Sequence, residues 1–445
     1  MKQRKLIIIF SIILGVILIG VLIYQIPVVK STVEWRYDQL RTRIIYFFNP
    51  PEDVIFTPQG QDEMITPTPS PSPTPTTIIP ESTDLPPTET PTPTPTIPAL
   101  PESVILEDVI YIDQHERWNY CAPANLTMAL KYWGWSGNRD QIANAIKPGA
   151  YNPDWNIVEQ SWSDPNVMPY EMTNYVIEET EFSAILRYGG NINLLKTLIA
   201  NGFPVVIELG FNDHSYTTGK YDWTGHYLFV TGYDDIEEVF IVQDSLLIPG
   251  ENLKVPYDQL YNEWRSFNYI FFVVFPLDQQ ESVYESLGDY LDPEWAARHA
   301  LEIARQDTEE QSDVEEFFAW YNIGTSHVKL NEYYDAAIAY DQAFSIYAEL
   351  DGIENPIPYR IHWYQTGPYW AYYYTSRYND IINLATSTLN THSKSPFEES
   401  YYWRGLAFEM LGQTDEAIAD FLEALRLNPN FSVVKLQLDR LGVDY

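Results

Sequence analysis

Leu6 through Tyr24 runs without a single charged residue and follows the basic leader Met1-Lys2-Gln3-Arg4-Lys5. An apolar run of that length can span a bilayer as a helix. It ends in Tyr24-Gln25-Ile26-Pro27-Val28-Val29-Lys30, which lacks the small-residue site of a cleaved signal peptide. Residues 1–30 are therefore expected to form a cytoplasmic tip and an uncleaved transmembrane signal anchor, with the basic leader inside. Over residues 31–49, Trp35, Leu40, Ile44, Ile45 and Phe48 supply the apolar side of a short juxtamembrane amphipathic helix. Periodicity then disappears. Residues 50–101 hold half of the chain's 32 prolines, in runs such as Thr66-Pro67-Thr68-Pro69-Ser70-Pro71. Such a segment lacks backbone donors and core residues, so a disordered, extended stalk is expected there.

From residue 102 the apolar positions return. They recur at helical spacing over 122–134, 139–146, 170–179 and 191–201. β-Branched and aromatic runs follow at 204–209, 226–233, 239–244 and 269–275, the composition of strands. Helices first and antiparallel strands afterwards predict an α+β domain over 102–280. From residue 284 to 445 the pattern is helical, acidic and aromatic, and it repeats. Trp320, Ile323, Gly324, Ala336, Tyr340 and Ala343 match Tyr401, Gly405, Phe408, Ala417, Phe421 and Ala424. Both sets resemble the tetratricopeptide repeat, in which small residues let two helices pack closely. A divergent unit between Tyr364 and Thr391, preceded by an insertion at Asp351–Pro358, brings the all-α stack to about the minimum for stability. The aromatic run Tyr369-Trp370-Ala371-Tyr372-Tyr373-Tyr374 fits helix-pair cores and equally a groove for a peptide or protein partner.

A net charge of -36 excludes nucleic-acid binding, which needs clustered Lys and Arg. One cysteine in the chain rules out an intrachain disulfide and a cysteine-based zinc cluster. The seven histidines show no paired spacing, so no metal or cofactor is expected.

That cysteine, Cys121, stands at the mouth of a helix: after Pro123, residues Leu126, Ala129, Leu130 and Trp133 fall at helical spacing. Unpaired N–H groups and the positive dipole end at such a place favour thiolate. Downstream, Gly225-His226-Tyr227 and Gln243-Asp244-Ser245 each border a strand-like run. Cys121 as nucleophile, His226 as base and Asp244 as orienting carboxylate form the arrangement of a thiol hydrolase. Gln114, just upstream, can join the Cys121 N–H in an oxyanion hole. His115 and His214 are expected in exposed loops. Asp234 and Asp235 lie in a turn after the His226 strand, whereas Asp244 ends the next strand and so should lie beside His226 in an antiparallel pair.

Gln114, Cys121-Ala122-Pro123, Tyr132-Trp133-Gly134, Gly225-His226-Tyr227, Thr231-Gly232-Tyr233-Asp234 and Asp244 together resemble the bacteriocin-leader-processing cysteine peptidases and their stand-alone relatives, a double-glycine peptidase-like family in the papain-like clan. The resemblance implies a papain-like fold, with Cys121 as nucleophile, His226 as base, Asp244 as orienting residue and Gln114 as oxyanion donor. Ala122 departs from the family, where Gly usually follows the nucleophile. The ATP-binding and multi-helix transport regions of the exporter members are not found, so leader processing during export is not expected. The resulting expectation is a single-pass, membrane-anchored extracytoplasmic cysteine peptidase acting on a peptide or protein, with a repeat module for a protein partner. Its rivals are an amidase or acyl transferase on the same triad and a catalytically silent scaffold. Every catalytic candidate precedes residue 279, so the repeats are expected to be separable from the chemistry.

Overall fold

The computed structural model describes residues 56–59, 100–117, 119–149, 166–214, 221–350, 360–391 and 396–445, with single positions at 15, 24, 29 and 40. Apart from those positions, the expected membrane span, the juxtamembrane segment, most of the stalk and the Asp351–Pro358 insertion lie outside the described residues. Among the described residues no helix is long and apolar enough to cross a membrane.

Among the described residues the first strand is β1 (Ser103–Ile105), followed by helices α1 (Cys121–Tyr132), α2 (Arg139–Ile146) and α3 (Pro169–Glu179). Next come β2 (Phe182–Arg187), α4 (Ile192–Ala200), β3 (Val205–His214), β4 (Tyr221–Asp234) and β5 (Val239–Gln243). The first part closes with β6 (Leu253–Pro256), α5 (Tyr257–Arg265) and β7 (Phe271–Pro276). The strands form one antiparallel sheet in the order β2-β7-β3-β4-β5-β6. β1 pairs with β4 from Gly232 to Asp234, beyond the point where β3 stops at Val205↔Val230.

Both faces of the sheet are covered, which explains why its strands read as continuous apolar runs rather than alternating ones. Val206, Phe229, Phe272 and Val274 point towards α1 and α3, where Leu126, Met128, Ala129, Met172 and Val176 meet them. Their neighbours Val205, Ile207, Val230, Phe271 and Val273 point the other way, towards Leu195 and Leu198 of α4 and Trp264 of α5. The α+β class holds, but not the strict order of helices before strands, because β2 comes between α3 and α4 and pairs with β7. The segment around His214 is not a loop either. Its polar residues stay in β3 because the ladder with β4 continues to His214↔Tyr221, pairing outweighing their weak strand propensity.

Helix α6 (Gln280–Leu287) and the start of α7 (Pro293–Glu310) pack Val283, Leu287 and Ala296 into the α4 side of the sheet core. Further along α7, Leu301 and Ala304 meet Ile323 and Ala339 of the repeats. The repeat helices are α8 (Asp313–Lys329) with α9 (Tyr333–Glu349), then a short α10 (Ile361–Tyr364). The stack continues with α11 (Gly367–Tyr374), α12 (Tyr378–Asn390), α13 (Glu398–Met410), α14 (Thr414–Leu427) and α15 (Ser432–Leu441). The matched glycines have matched reasons. A Cβ on Gly324 would come within 2.7 Å of the Tyr340 ring, and one on Gly405 within 2.7 Å of Phe421. The inward rings of each pair occupy the space a side chain would take.

One feature departs from a free stalk. Phe56 is buried in the repeat core, its ring 4.9 Å from that of Phe344, and the Gln59 amide donates to Asp380 Oδ1 at 2.8 Å. The aromatic run at 369–374 is divided likewise: Tyr369 and Tyr372 are buried, whereas Tyr374 is exposed.

Candidate active site

The chain reaches Cys121 through a sharp reversal. Glu116 and Asn119 both adopt left-handed backbone conformations, φ 68° and 48°, a region Asn tolerates well. Cys121 is the first residue of α1, and Pro123 occupies its first turn, where a missing N–H costs nothing. The thiol is nearly buried, at 8 % exposure. It lines a small pocket with Ala122, Asn166, Val167, Glu208, Gly225, His226, Tyr227 and Tyr364.

His226 projects from β4, fully buried, and its Nε2 lies 2.9 Å from Asp244 Oδ1. The ladder does not set this approach directly. The last paired residues of β4 and β5 are Phe229 and Gln243, so Asp244 lies just past the register. A turn holds it there. The amides of Leu246 and Leu247 donate to its Oδ1, and its own amide donates to Gly250 O. With Nε2 committed to Asp244, Nδ1 is the ring nitrogen left for the thiol. Burial opposes an imidazolium, but the charge and hydrogen bond of Asp244, together with the bond and charge of Cys121, push His226 up to about 10. Burial also opposes a charged Asp244, yet His226 and the two turn amides hold its carboxyl below the usual carboxylate range.

Gln114 reaches this group by a relay. Ser245 Oγ donates to Gln114 Oε1 at 2.9 Å, and the Gln114 amide donates to Ser245 O at 2.9 Å. Accepting through Oε1 leaves the amide NH2 available as a donor. Ser245 Oγ also receives Asn125 Nδ2, which in turn donates to the carbonyls of Cys121 and Tyr227. Ser245 and Asn125 therefore link the Gln114 side chain to the main chain of the nucleophile.

The competing residues are engaged elsewhere. His115 is not in an exposed loop: it is half-buried, with Nε2 3.0 Å from Leu246 O, and so braces the turn that carries Asp244. Asp235 takes Lys196 and the Tyr257 hydroxyl, and Asp234 caps the amides of Ile236 and Glu237. In the repeats, ligand atoms of His327, Glu332 and Asp335 converge within 4.8 Å despite their irregular sequence spacing, with His327 Nδ1 2.7 Å from Glu332.

Glu208 and Tyr364 are among the pocket residues that sequence reasoning missed. Glu208 sits on β3 opposite Tyr227, only 3 % exposed; its one signal was a charge inside the apolar run Pro204–Leu209. Burial, and then the nearby Cys121 charge, push its carboxyl well above the ordinary range, against the Tyr227 hydrogen bond and His226. Tyr364 comes from α10 in the repeat region, more than a hundred residues after His226 in the sequence, and nothing local marked it. Its hydroxyl lies 3.3 Å from Thr224 Oγ1, and its ring faces Trp223 and Phe267. The repeats are therefore not separate from the site. Asn166 Nδ2 donates to Trp363 O, Gln365 Nε2 donates to Ser266 O, and Arg360 pairs with buried Asp222 at 2.8 Å.

The profile of the Peptidase C39 like family matches residues 106–270, and tetratricopeptide-repeat profiles match 319–349 and 398–431. No curated protein matches the chain. Among solved structures, a chain assigned as a C39-like peptidase from Bacillus anthracis is 22% identical, with a TM-score of 0.31, covering 39% of this chain and 98% of that one. Xylellain, a cysteine protease from Xylella fastidiosa, is 18% identical, with a TM-score of 0.26, covering 40% and 87%. Residues 106–270 thus resemble the C39-like peptidase family, and residues 319–349 and 398–431 resemble tetratricopeptide repeats.

Proposed function

We propose that this chain is a cysteine peptidase in which Cys121, His226 and Asp244 act as a triad. The observation that carries the reading is the hydrogen bond between Asp244 and His226, the latter lining one pocket with the helix-initial thiol. The Cys121 thiol gives its proton to His226, and the sulfur attacks a peptide carbonyl. The resulting oxyanion takes the Cys121 N–H and the Gln114 amide. His226 then protonates the leaving amine, which departs and leaves a thioester. Water, deprotonated by His226, attacks the thioester and releases the acid and the thiol. Asp244 keeps the imidazole oriented and stabilises its charged form.

The test is labelling of the full chain by a thiol-directed peptide electrophile, followed by assay of peptide hydrolysis. Cys121 is the only thiol, so the site of labelling is unambiguous. Labelling at pH 6 that collapses in His226→Ala, together with turnover, supports the peptidase. Transfer of the acyl group to an added amine in preference to water would make it an acyl transferase. An unreactive thiol would make it a silent scaffold. We also propose a single-pass anchor at residues 6–24 with the catalytic domain outside the cytoplasm, on the basic leader and the uncharged run behind it. Protease added to intact cells should then reach the folded part; access only after lysis would reverse the topology.

A further inference from the structure

A second cavity of about 350 Å3 opens between the sheet and the repeats. It meets the nucleophile pocket at two residues, Glu208 and Tyr364, which belong to the walls of both. Much of its lining is aromatic, including Tyr188 and Phe267 from the sheet side and Tyr364 and Trp370 from the repeats. Aromatic faces receive cations and lie flat along aliphatic stems.

Glu208 gives this cavity its chemistry. It is a buried carboxyl with no Lys or Arg paired to it among the described residues. Its polar partner is the Tyr227 hydroxyl, whose one proton goes to Val167 O at 2.9 Å. The cavity's own cation, Lys329, lies over the Tyr188 ring at 4.9 Å, and its charge acts on Glu399. Buried charges are retained in proteins when something pairs with them. Here no described Lys or Arg does so, and the nearby cation, His226, is hydrogen-bonded to Asp244.

We propose that this cavity is the subsite for a basic side chain of the substrate, a lysine or arginine close to the reacting bond, with its cation on Glu208 and its stem along Tyr364 and Phe267. The inference rests on the peptidase reading and deepens it. As the cation enters, Glu208 releases its proton to solvent and becomes the counter-charge. A net charge of -36 steers a cationic peptide towards the chain. The repeats would then act in substrate selection, since Tyr364 and Trp370 belong to them.

The test uses the full chain as Cys121→Ala, so that binding is read without turnover. The probes are alanine-based pentapeptides carrying one arginine, citrulline, leucine or glutamate, with the variable residue moved through the positions. At one position arginine should bind roughly tenfold to a hundredfold tighter than citrulline, its neutral analogue. Binding should also release a proton, seen as a heat that depends on buffer ionisation. Glu208→Gln, close in shape to the neutral acid, should erase the difference and leave leucine binding unchanged. Equal binding of arginine and citrulline at every position, or tighter binding of leucine or glutamate, would overturn the proposal without touching the triad. Arginine preference in a chain whose wild type hydrolyses nothing would keep the subsite and remove the peptidase reading.

Discussion

Asn125 holds the candidate site together more than any residue first singled out. From one turn into α1 it ties the Cys121 carbonyl to the Tyr227 carbonyl and to Ser245, and through Ser245 to Gln114. Replacing it with alanine removes these buried hydrogen bonds, so Asn125→Ala should destabilise the chain by about 1–3 kcal/mol, read as a lowered urea midpoint. The charged pair acts differently. His226→Ala should remove most of the low-pH alkylation of Cys121, and Asp244→Asn should remove less, because the imidazole stays but loses its orientation. Gln114→Ala should spare alkylation, which builds no oxyanion, yet slow acyl transfer by roughly a hundredfold or more. Equal alkylation rates in wild type and His226→Ala would end the triad assignment. Cys121, His226, Asp244 and Gln114 could be read from the sequence because each borders a recognisable element. Asn125, Ser245 and Glu208 could not, since their roles arise from a packing partner distant in sequence.

At the scale of elements, the junction between β4 and α10 is tight. A Cβ on Gly225 would meet Phe267 at 2.7 Å and the Tyr364 ring at 3.0 Å. Gly225→Ala should therefore push Tyr364 out of the nucleophile pocket and cost about 1–3 kcal/mol, with faster access of bulky thiol reagents. The meeting of α3 and α13 is electrostatically strained. Burial pushes Glu171 up to about 8, further raised by nearby Glu399 and opposed by its bond from the Met168 amide and by Lys147. Its folded value lies above the ~4.3 of a free glutamate, so its contribution is complete below that pH and is lost as pH rises through about 8. Glu171→Gln should raise the melting temperature relative to wild type more at pH 9 than at pH 5. An equal shift at both would mean the carboxyl is already ionised at pH 5. Helices α1 to α4 were legible because their apolar stripes are local. Strands β1, β2 and β6 were not, being short or edge pieces whose stability comes from the neighbour they pair with.

At the scale of the molecule, sheet and repeats share one core. Trp223, Phe267 and Ile270 pack in the same cluster as Phe317, Phe318 and Tyr321. Residues 102–280 alone would expose that patch and leave Asp222 buried without Arg360, so the fragment should bind hydrophobic dyes and melt below the full chain. Matching melting temperatures would show that the two parts fold independently. The sequence located both parts but not their union, because Arg360 and Tyr364 sit in a stretch without repeat or catalytic pattern. The docking of Phe56 bears on geometry of another kind. Gln59 is fixed on the repeats, and Pro101, whose carbonyl accepts the Tyr233 hydroxyl, is fixed on the sheet. Gln59 and Pro101 are thus both held on one body. If residues 6–24 anchor the chain, only residues 25–55 work as tether, a leash of at most ~110 Å rather than the ~270 Å that residues 25–101 would allow. A folded part held in that way would search the zone close to the anchor, and its reach would lengthen only when Phe56 lets go.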